Sequence, residues 1–143
     1  MPTTAPYGSW ASPITSDLVT ADAVRLDQVM LDGADIYWTE SQPEKKGRYL
    51  IYRKRRGGTV EAVTPDDARA WSVRTRVHEY GGGAFAIRDG TAYFSDYADQ
   101  RLYRHDPGQA PRPITPEAPN GPASALRYAG GTIDTRRHSM IVV

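Results

Sequence analysis

The feature that most constrains the fold of this chain is a repeated set of short strands separated by turns. Four runs rich in Val, Ile, Tyr and Trp occur within residues 25–63, and a similar set occurs within residues 84–116. The dipeptides Asp32-Gly33 and Asp89-Gly90, which favour hairpin turns, separate the first two runs of each set. The turn, an aromatic residue in the second run and a closing Thr-Pro recur in the same order in both sets, and equivalent features are 51 to 57 residues apart. A single four-stranded sheet cannot cover both of its faces, so such repeats are typical of β-propeller blades stacked around an axis.

The predicted strands are short, and they account for most of the apolar residues. No stretch carries apolar residues at helical spacing over three turns, and the best helical candidate, 66–71, allows about two turns at most. The chain is therefore predicted to be all-β. The predicted strands are 25–31, 35–40, 49–54 and 59–63 in the first unit, 84–87, 91–95, 101–104 and 113–116 in the second, and 132–134 and 139–143 in a third.

These units predict a partial β-propeller of about two four-stranded blades plus the start of a third. A closed propeller needs at least four blades. The last residues, 140–143, are an apolar run without a polar terminator, so we expect the chain to be the front end of a longer protein. Two unrelated meanders in a sandwich are the alternative, since Asp-Gly turns are common. The predicted segments are 1–23 (N-terminal extended segment), 24–65 (first blade-like repeat), 66–83 (linker), 84–116 (second repeat) and 117–143 (truncated start of the third).

Composition narrows the classes of function. The 18 Lys and Arg residues nearly balance the 17 Asp and Glu residues, which does not favour a nucleic-acid partner. With no Cys there is no disulfide, no thiol nucleophile and no Cys-ligated metal site, and no cofactor is expected. No apolar run of about 18 residues and no signal peptide is found, so we expect no membrane partner and a cytoplasmic protein.

Four stretches resemble one known family. Residues 73–83, Val-Arg-Thr-Arg-Val-His-Glu-Tyr-Gly-Gly-Gly, resemble a propeller segment of bacterial serine peptidases of the prolyl oligopeptidase family, in particular acylaminoacyl-peptidase-like and dipeptidyl-aminopeptidase-like members. Residues 7–14, 94–104 and 127–131 are similar to the same proteins, in register. The stretch 66–72 departs from the pattern, because a shorter link is expected there.

The resemblance implies an N-terminal propeller, usually seven-bladed, followed by an α/β-hydrolase domain with a Ser-Asp-His triad. In that domain the serine lies on a Gly-x-Ser-x-Gly elbow. This sequence has no such elbow, since Gly8-Ser9-Trp10 lacks the second glycine. The hydrolase domain is therefore absent, no catalytic residue can be carried over, and the chain alone should be inactive.

By resemblance, the chain would be the propeller portion of a serine peptidase that hydrolyses short peptides, gating their access to the hydrolase domain. Its expected partners are that domain and the peptide substrate. The alternative is a stand-alone, non-catalytic binding or scaffold module that completes a propeller by self-association.

The candidate site residues are Arg74, Arg76, His78 and Glu79, which we expect to form a polar cluster near the propeller axis. In a parent enzyme this cluster would either face the active-site cavity and bind the charged end of a peptide or serve as a structural network. His78-Glu79 lacks the second histidine of a zinc motif. The glycines 81–83 precede a strand, so they favour a backbone bend over a phosphate loop.

Two further patterns have structural interpretations. The basic run 52–56 leaves a strand at a Gly-Gly turn, and alternation along the strand divides its charges between two faces. It therefore indicates a solvated hairpin end rather than a nucleic-acid patch. Tyr37, Trp38, Tyr93 and Phe94 occupy equivalent places in the two units, which predicts inter-blade packing rather than a ligand cage.

Overall fold

A computed structural model of the protein describes residues 4–9, 11–16, 23–121 and 126–143. Within these ranges ten β-strands form three antiparallel sheets, none of them closed, which confirms the predicted all-β class. Trp10 of the N-terminal motif and residues 17–22 of the predicted extended segment lie outside the described residues.

The first two sheets have four strands each, connected in sequence order, and the third is a hairpin. Two short 3-10 turns, Pro43–Lys45 and Val77–Glu79, interrupt the connections. The strands are β1 (Leu26–Asp32), β2 (Asp35–Gln42), β3 (Arg48–Lys54) and β4 (Val60–Ala62); β5 (Phe85–Arg88), β6 (Thr91–Ser95), β7 (Leu102–His105) and β8 (Arg112–Pro113); and β9 (Thr132–Asp134) and β10 (Ser139–Ile141).

The two Asp-Gly dipeptides form the tight turns that the sequence predicts. Asp32 pairs with Asp35 across β1 and β2, which leaves two residues in the turn, and Gly33 has φ of 60°. In the second sheet Asp89 and Gly90 have φ of 50° and 75°, the left-handed pair that a two-residue hairpin of type I′ requires. The hairpin register is therefore determined locally.

The core lies between the first and second sheets. Alternate residues of β2, beginning at Tyr37, are buried against the second sheet, as the two-residue period of a strand requires. Two core residues, Trp71 and Val73, come from the linker between the sheets. The buried cluster comprises Tyr37, Ile51, Trp71, Val73, Phe85, Ile87, Ala92, Phe94 and Tyr103.

The first strands of successive sheets lie side by side. The Gln28 side chain in β1 donates to the Phe85 carbonyl at 2.7 Å and accepts from the Phe85 N–H at 3.3 Å. The approach to β9 continues this arrangement, because the N–H of Gly130 donates to the carbonyl of Gly83 at 2.9 Å. Each sheet is therefore joined to the next along its first strand.

The repeat extends to pairs of aromatic side chains on adjacent strands. Trp38 stacks on Tyr52 with ring centroids 6.1 Å apart, and Phe94 stacks on Tyr103 at 5.9 Å, with interplanar angles of 23° and 22°. The burial of the two pairs differs. Phe94 and Tyr103 are buried, whereas Trp38 and Tyr52 are half-buried on the open face of the first sheet.

Tyr37 and Tyr93 also occupy equivalent positions, each below an arginine of the following strand. The guanidinium of Arg53 lies 5.8 Å from the Tyr37 ring centroid, and that of Arg104 lies 5.8 Å from the Tyr93 centroid. Each tyrosine points toward the next sheet along the chain. Tyr37 and Phe94 therefore belong to the buried core between the first two sheets, as predicted, whereas Trp38 lies on the open face of the first sheet and does not pack between sheets.

The segment best suited to a helix forms none, in agreement with the all-β prediction. The segment 66–71, the best helical candidate, forms a turn over residues 67–69 and then a left-handed residue, Ala70, with φ of 58°. This backbone reverses direction so that Trp71 enters the core, where its ring meets Phe94 and Tyr103 edge-on at 5.7 and 4.9 Å. Burial of one tryptophan outweighs the modest helix propensity of so short a segment.

Candidate binding surface on the linker face

The linker runs along one edge of the first two sheets. The Val73 N–H donates to the carbonyl of Tyr49 at the start of β3, and the Arg74 N–H donates to the carbonyl of Ser95 at the end of β6. We call this edge the linker face. The opposite edge, with the turns at Gly33 and Gly90, is the turn face.

Arg69 anchors the linker on the second sheet. Its Nη2 lies 3.0 Å from Asp96 Oδ2, 2.7 Å from Asp99 Oδ2 and 2.6 Å from the Tyr103 hydroxyl. Its guanidinium also stacks 4.4 Å above the ring centroid of Trp71. No local pattern in the sequence indicates this network, because its members are up to 34 residues apart.

The two carboxyl groups of this network have pKa values shifted in opposite directions. Burial raises the pKa of Asp96, and hydrogen bonds from the Ser72 N–H and from Arg69 oppose that rise only in part. Burial also acts to raise the pKa of Asp99, but the Tyr103 hydroxyl, the Arg101 N–H and Arg69 donate to it and lower its pKa overall. The difference is consistent with Asp96 being almost completely buried, while Asp99 is partly exposed.

Arg74 and Arg76 are brought together on one aromatic ring. Their guanidinium carbons lie 5.2 and 5.5 Å from the centroid of Tyr97. The Arg76 backbone N–H is held by the Gln100 side chain at 2.8 Å, and its buried Nε has no hydrogen-bond partner within the described ranges. Neither guanidinium forms an ion pair with a described carboxylate. We call Arg74 and Arg76 the arginine pair, and Tyr97 the platform on which their guanidinium groups lie.

Glu79 has a different partner. Its carboxylate accepts a hydrogen bond from Arg127, which precedes β9 and which also donates to the Arg76 carbonyl at 3.0 Å. The hydrogen bond and charge of Arg127, with a smaller contribution from Arg76, lower the pKa of Glu79. The His78 side chain is exposed, with the backbone at φ of 53°. The predicted four-residue cluster is therefore divided into an arginine pair, a Glu79–Arg127 ion pair and an exposed histidine.

The three glycines after this segment allow the chain to approach the third sheet closely. Gly81 has φ of 89°, and a Cβ placed on Gly82 would lie 3.0 Å from the Cβ of Ala129. The glycines lead into β5 rather than into a helix, so they lack the helix N-terminus of a phosphate loop. The structure therefore agrees with the interpretation of this stretch as a backbone bend.

Two grooves flank Arg74, one on each side of the linker. One, of about 270 Å³, is lined by Arg25, Asp27, Arg74, Tyr80 and Gly82, among others. It lies where β1 begins and where the chain enters β5. A second groove of about 270 Å³ lies beyond the linker and is also lined by Arg74. Arg74 is thus accessible from both grooves.

Other kinds of site are not found in the described part of the chain. It contains no group of three His, Asp or Glu side chains placed to hold a metal ion. None of its helices has the length and apolar character needed to cross a membrane. The basic run is divided as predicted, since Arg53 lies toward the second sheet, bound to Glu61 and Tyr37, whereas Lys54 is exposed.

Two solved structures match this fold over almost the whole chain. A puromycin-hydrolysing peptidase from Mycobacterium tuberculosis is 36% identical with a TM-score of 0.84, over 99% of this chain and 22% of that one. A puromycin hydrolase mutant complexed with PGG is 34% identical with a TM-score of 0.75, over 96% of this chain and 21% of that one. No family model matches the chain, and no curated protein matches it significantly.

The chain forms open β-sheets and is structurally similar to the N-terminal part of peptide-hydrolysing peptidases. The chain belongs to the prolyl oligopeptidase family, as the resemblance of residues 73–83 predicts. It spans about a fifth of the length of the solved structures that it matches.

Proposed function

We propose that this chain forms the first blades of a propeller in a serine peptidase, and that the propeller restricts a hydrolase domain to short peptides. The observation that carries the proposal is the 36% identity, over 99% of the chain, with a puromycin-hydrolysing peptidase. The TM-score of 0.84 shows that the two chains share this fold over that length.

The arrangement of the sheets supports a propeller. The first strands β1 and β5 and the approach to β9 lie side by side, as blades do around a common axis. The first sheet also has an open apolar face, where Val29 and Leu31 are 63% and 71% exposed. In the second sheet the equivalent face is covered by the first sheet and by Trp71. A further blade on the open face would bury these residues.

The chemistry would take place in the hydrolase domain. There a serine attacks the peptide carbonyl, a histidine acts first as base and then as acid, and backbone N–H groups stabilise the oxyanion. The present chain, which lacks the Gly-x-Ser-x-Gly elbow, would not take part in these steps. Its contribution would be steric, because a propeller above the active site admits an extended peptide and excludes a folded protein.

Substrate length tests the gating role. In the protein translated from the complete reading frame, kcat/KM for peptides of one sequence should fall as the peptides are lengthened, and folded proteins should remain intact. Truncating the chain before the hydrolase domain should abolish hydrolysis. Equal cleavage of short peptides and of folded proteins would contradict gating.

The open face also favours a second candidate, a non-catalytic module that self-associates. Exposed Val29, Leu31 and Ile36 on one face are the kind of patch that mediates protein contacts. Light scattering coupled to size exclusion tests this for the 143-residue chain. A closed oligomer that persists on dilution would support the module, whereas a monomer or an open-ended series of aggregates would count against it.

A further inference from the structure

We propose that Arg74 and Arg76, held on Tyr97, form a binding site for the free carboxylate of a peptide. The inference rests on the proposed function for the identity of the ligand, but the site itself is argued from the geometry of the linker face. The substrates would be peptides that have an unblocked C-terminus, or another carboxylate at the equivalent position.

The first argument is that no carboxylate among the described residues competes for the two guanidinium groups. Other linker-face arginines are already engaged: Arg69 with Asp96 and Asp99, and Arg127 with Glu79. Arg74 and Arg76 form no such pair within the described ranges, and the buried Nε of Arg76 has no hydrogen-bond partner there. An arginine fork left free in this way matches the geometry of a carboxylate, which accepts two parallel hydrogen bonds.

The second argument is the positioning of the pair. Both guanidinium groups lie within 5.5 Å of the centroid of the Tyr97 ring, an attraction that limits their rotamers before a ligand arrives. The Tyr97 backbone is fixed in turn, because its N–H donates to the Ser72 carbonyl at 2.8 Å. A pre-positioned pair loses less side-chain entropy on binding than two mobile arginines would.

The third argument is access and charge. Arg74 lines the groove of about 270 Å³ that opens beside β1 and the entry to β5, which is large enough for the end of a peptide. Arg25 adds a positive charge to this groove and Asp27 a negative one. Glu79 lowers the net charge near Arg76, but it is bound to Arg127. The charges around the groove therefore sum to a positive value, which favours an anion.

This assignment excludes the other two candidate residues from direct binding. Glu79 cannot readily receive a peptide ammonium group, because Arg127 already occupies its carboxylate. His78 is exposed beside the ion pair, whereas Arg74 and Arg76 share the Tyr97 ring. The ligand that fits the remaining pair is thus an anion rather than a cation.

A matched pair of peptides tests the site in the protein translated from the complete reading frame. Trialanine and trialanine amide differ in the C-terminal carboxylate alone. We expect the KM of the amide to be roughly five- to tenfold higher than that of the acid, with kcat changed less. In Arg74→Gln/Arg76→Gln the acid should lose this advantage, whereas the KM of the amide should not change. Arg88→Gln, which removes an exposed arginine at the Asp89-Gly90 turn, is the control and should behave as wild type.

Calorimetric binding of the same two peptides separates the inference from the proposed function. If the protein hydrolyses neither peptide, the proposed peptidase activity is wrong, yet tighter binding of the acid that is lost in the double variant still supports the site. Equal KM and equal binding of acid and amide in the wild type would overturn the site, even if hydrolysis is efficient. A double variant that lowers kcat for both peptides equally, without changing their ratio, would also overturn it.

Discussion

The carboxylate of Asp32 lies 2.7 Å from the backbone nitrogen of Gly90, 58 residues further along the chain. Its second oxygen accepts a hydrogen bond of 3.2 Å from the N–H of Asp89. One Asp-Gly turn thereby caps the equivalent turn of the next sheet. Because this contact joins corresponding positions of two repeats, it fixes the angle between the sheets at the turn face, as Gln28 and Phe85 do along the first strands.

Removal of this cap should weaken the packing of the two sheets. In Asp32→Ala two backbone N–H groups lose an ionised acceptor, so we expect the free energy of unfolding in urea to fall by about 2 kcal/mol. Asp89→Asn is the control, because the Asp89 carboxylate is largely exposed and Asn tolerates the left-handed backbone. Equal stability of Asp32→Ala and wild type would show that the turn-to-turn contact does not hold the sheets together.

Trp71 and Trp38 should differ sharply in their contribution to the free energy of unfolding. Trp71 is 4% exposed and meets both Phe94 and Tyr103 edge-on, so Trp71→Ala should cost about 3 to 5 kcal/mol. Trp38→Ala removes an equally large ring from the open face of the first sheet and should cost about 1 kcal/mol. Denaturant unfolding followed by circular dichroism measures both. Similar losses for the two variants would mean that the open face is covered in solution.

The Arg69 network should give the protein a two-sided dependence on pH. The pKa of Asp99 is below its ordinary value of 3.8, so its contribution to stability is present above that pH and lost as the pH falls further. The pKa of Asp96 is raised from 3.8, so its contribution is present below that pH and lost as the pH rises through the raised value. As the pH falls below 3.8, Asp99→Asn should therefore lose less stability than wild type. As the pH falls from neutral toward 3.8, Asp96→Asn should gain less stability than wild type.

Unfolding free energies measured from about pH 6 to pH 2.5 separate the two effects. Wild type and Asp66→Asn are the references, because Asp66 is exposed and its pKa is lowered by its half-buried partner Lys45 rather than by the Arg69 network. The assignment would be contradicted if Asp96→Asn and Asp99→Asn changed the pH profile in the same direction.

Glu79 and Arg127 should act as one structural unit. Glu79→Gln and Arg127→Gln should each lower the melting temperature, and the double variant should lower it by less than the two effects combined, because each substitution already breaks the same ion pair. In the complete protein, catalytic efficiency should be unchanged in Glu79→Gln. Additive thermal effects, or a specific loss of kcat/KM in Glu79→Gln, would instead indicate a substrate role for Glu79.

The strands and hairpin turns could be predicted from the sequence because the signals for them are local. The Asp89-Gly90 turn needs two left-handed residues, and the alternation in β2 places Tyr37 inward whatever the partner sheet is. The site could not be predicted in the same way. The path of the linker determines which carboxylate binds Arg127 and which carboxylates bind Arg69. The turn after Asp67 redirects that path so that Trp71 enters the core.

Hydrolysis by the complete protein tests the central claim, that this chain is the N-terminal part of a peptidase, most directly. Hydrolysis of short peptides should be catalysed by the protein translated from the complete reading frame. It should be abolished by a covalent serine-hydrolase inhibitor, and it should be absent from the 143-residue chain alone. A correctly folded complete protein that hydrolyses none of these substrates, or activity in the isolated chain, would contradict this account.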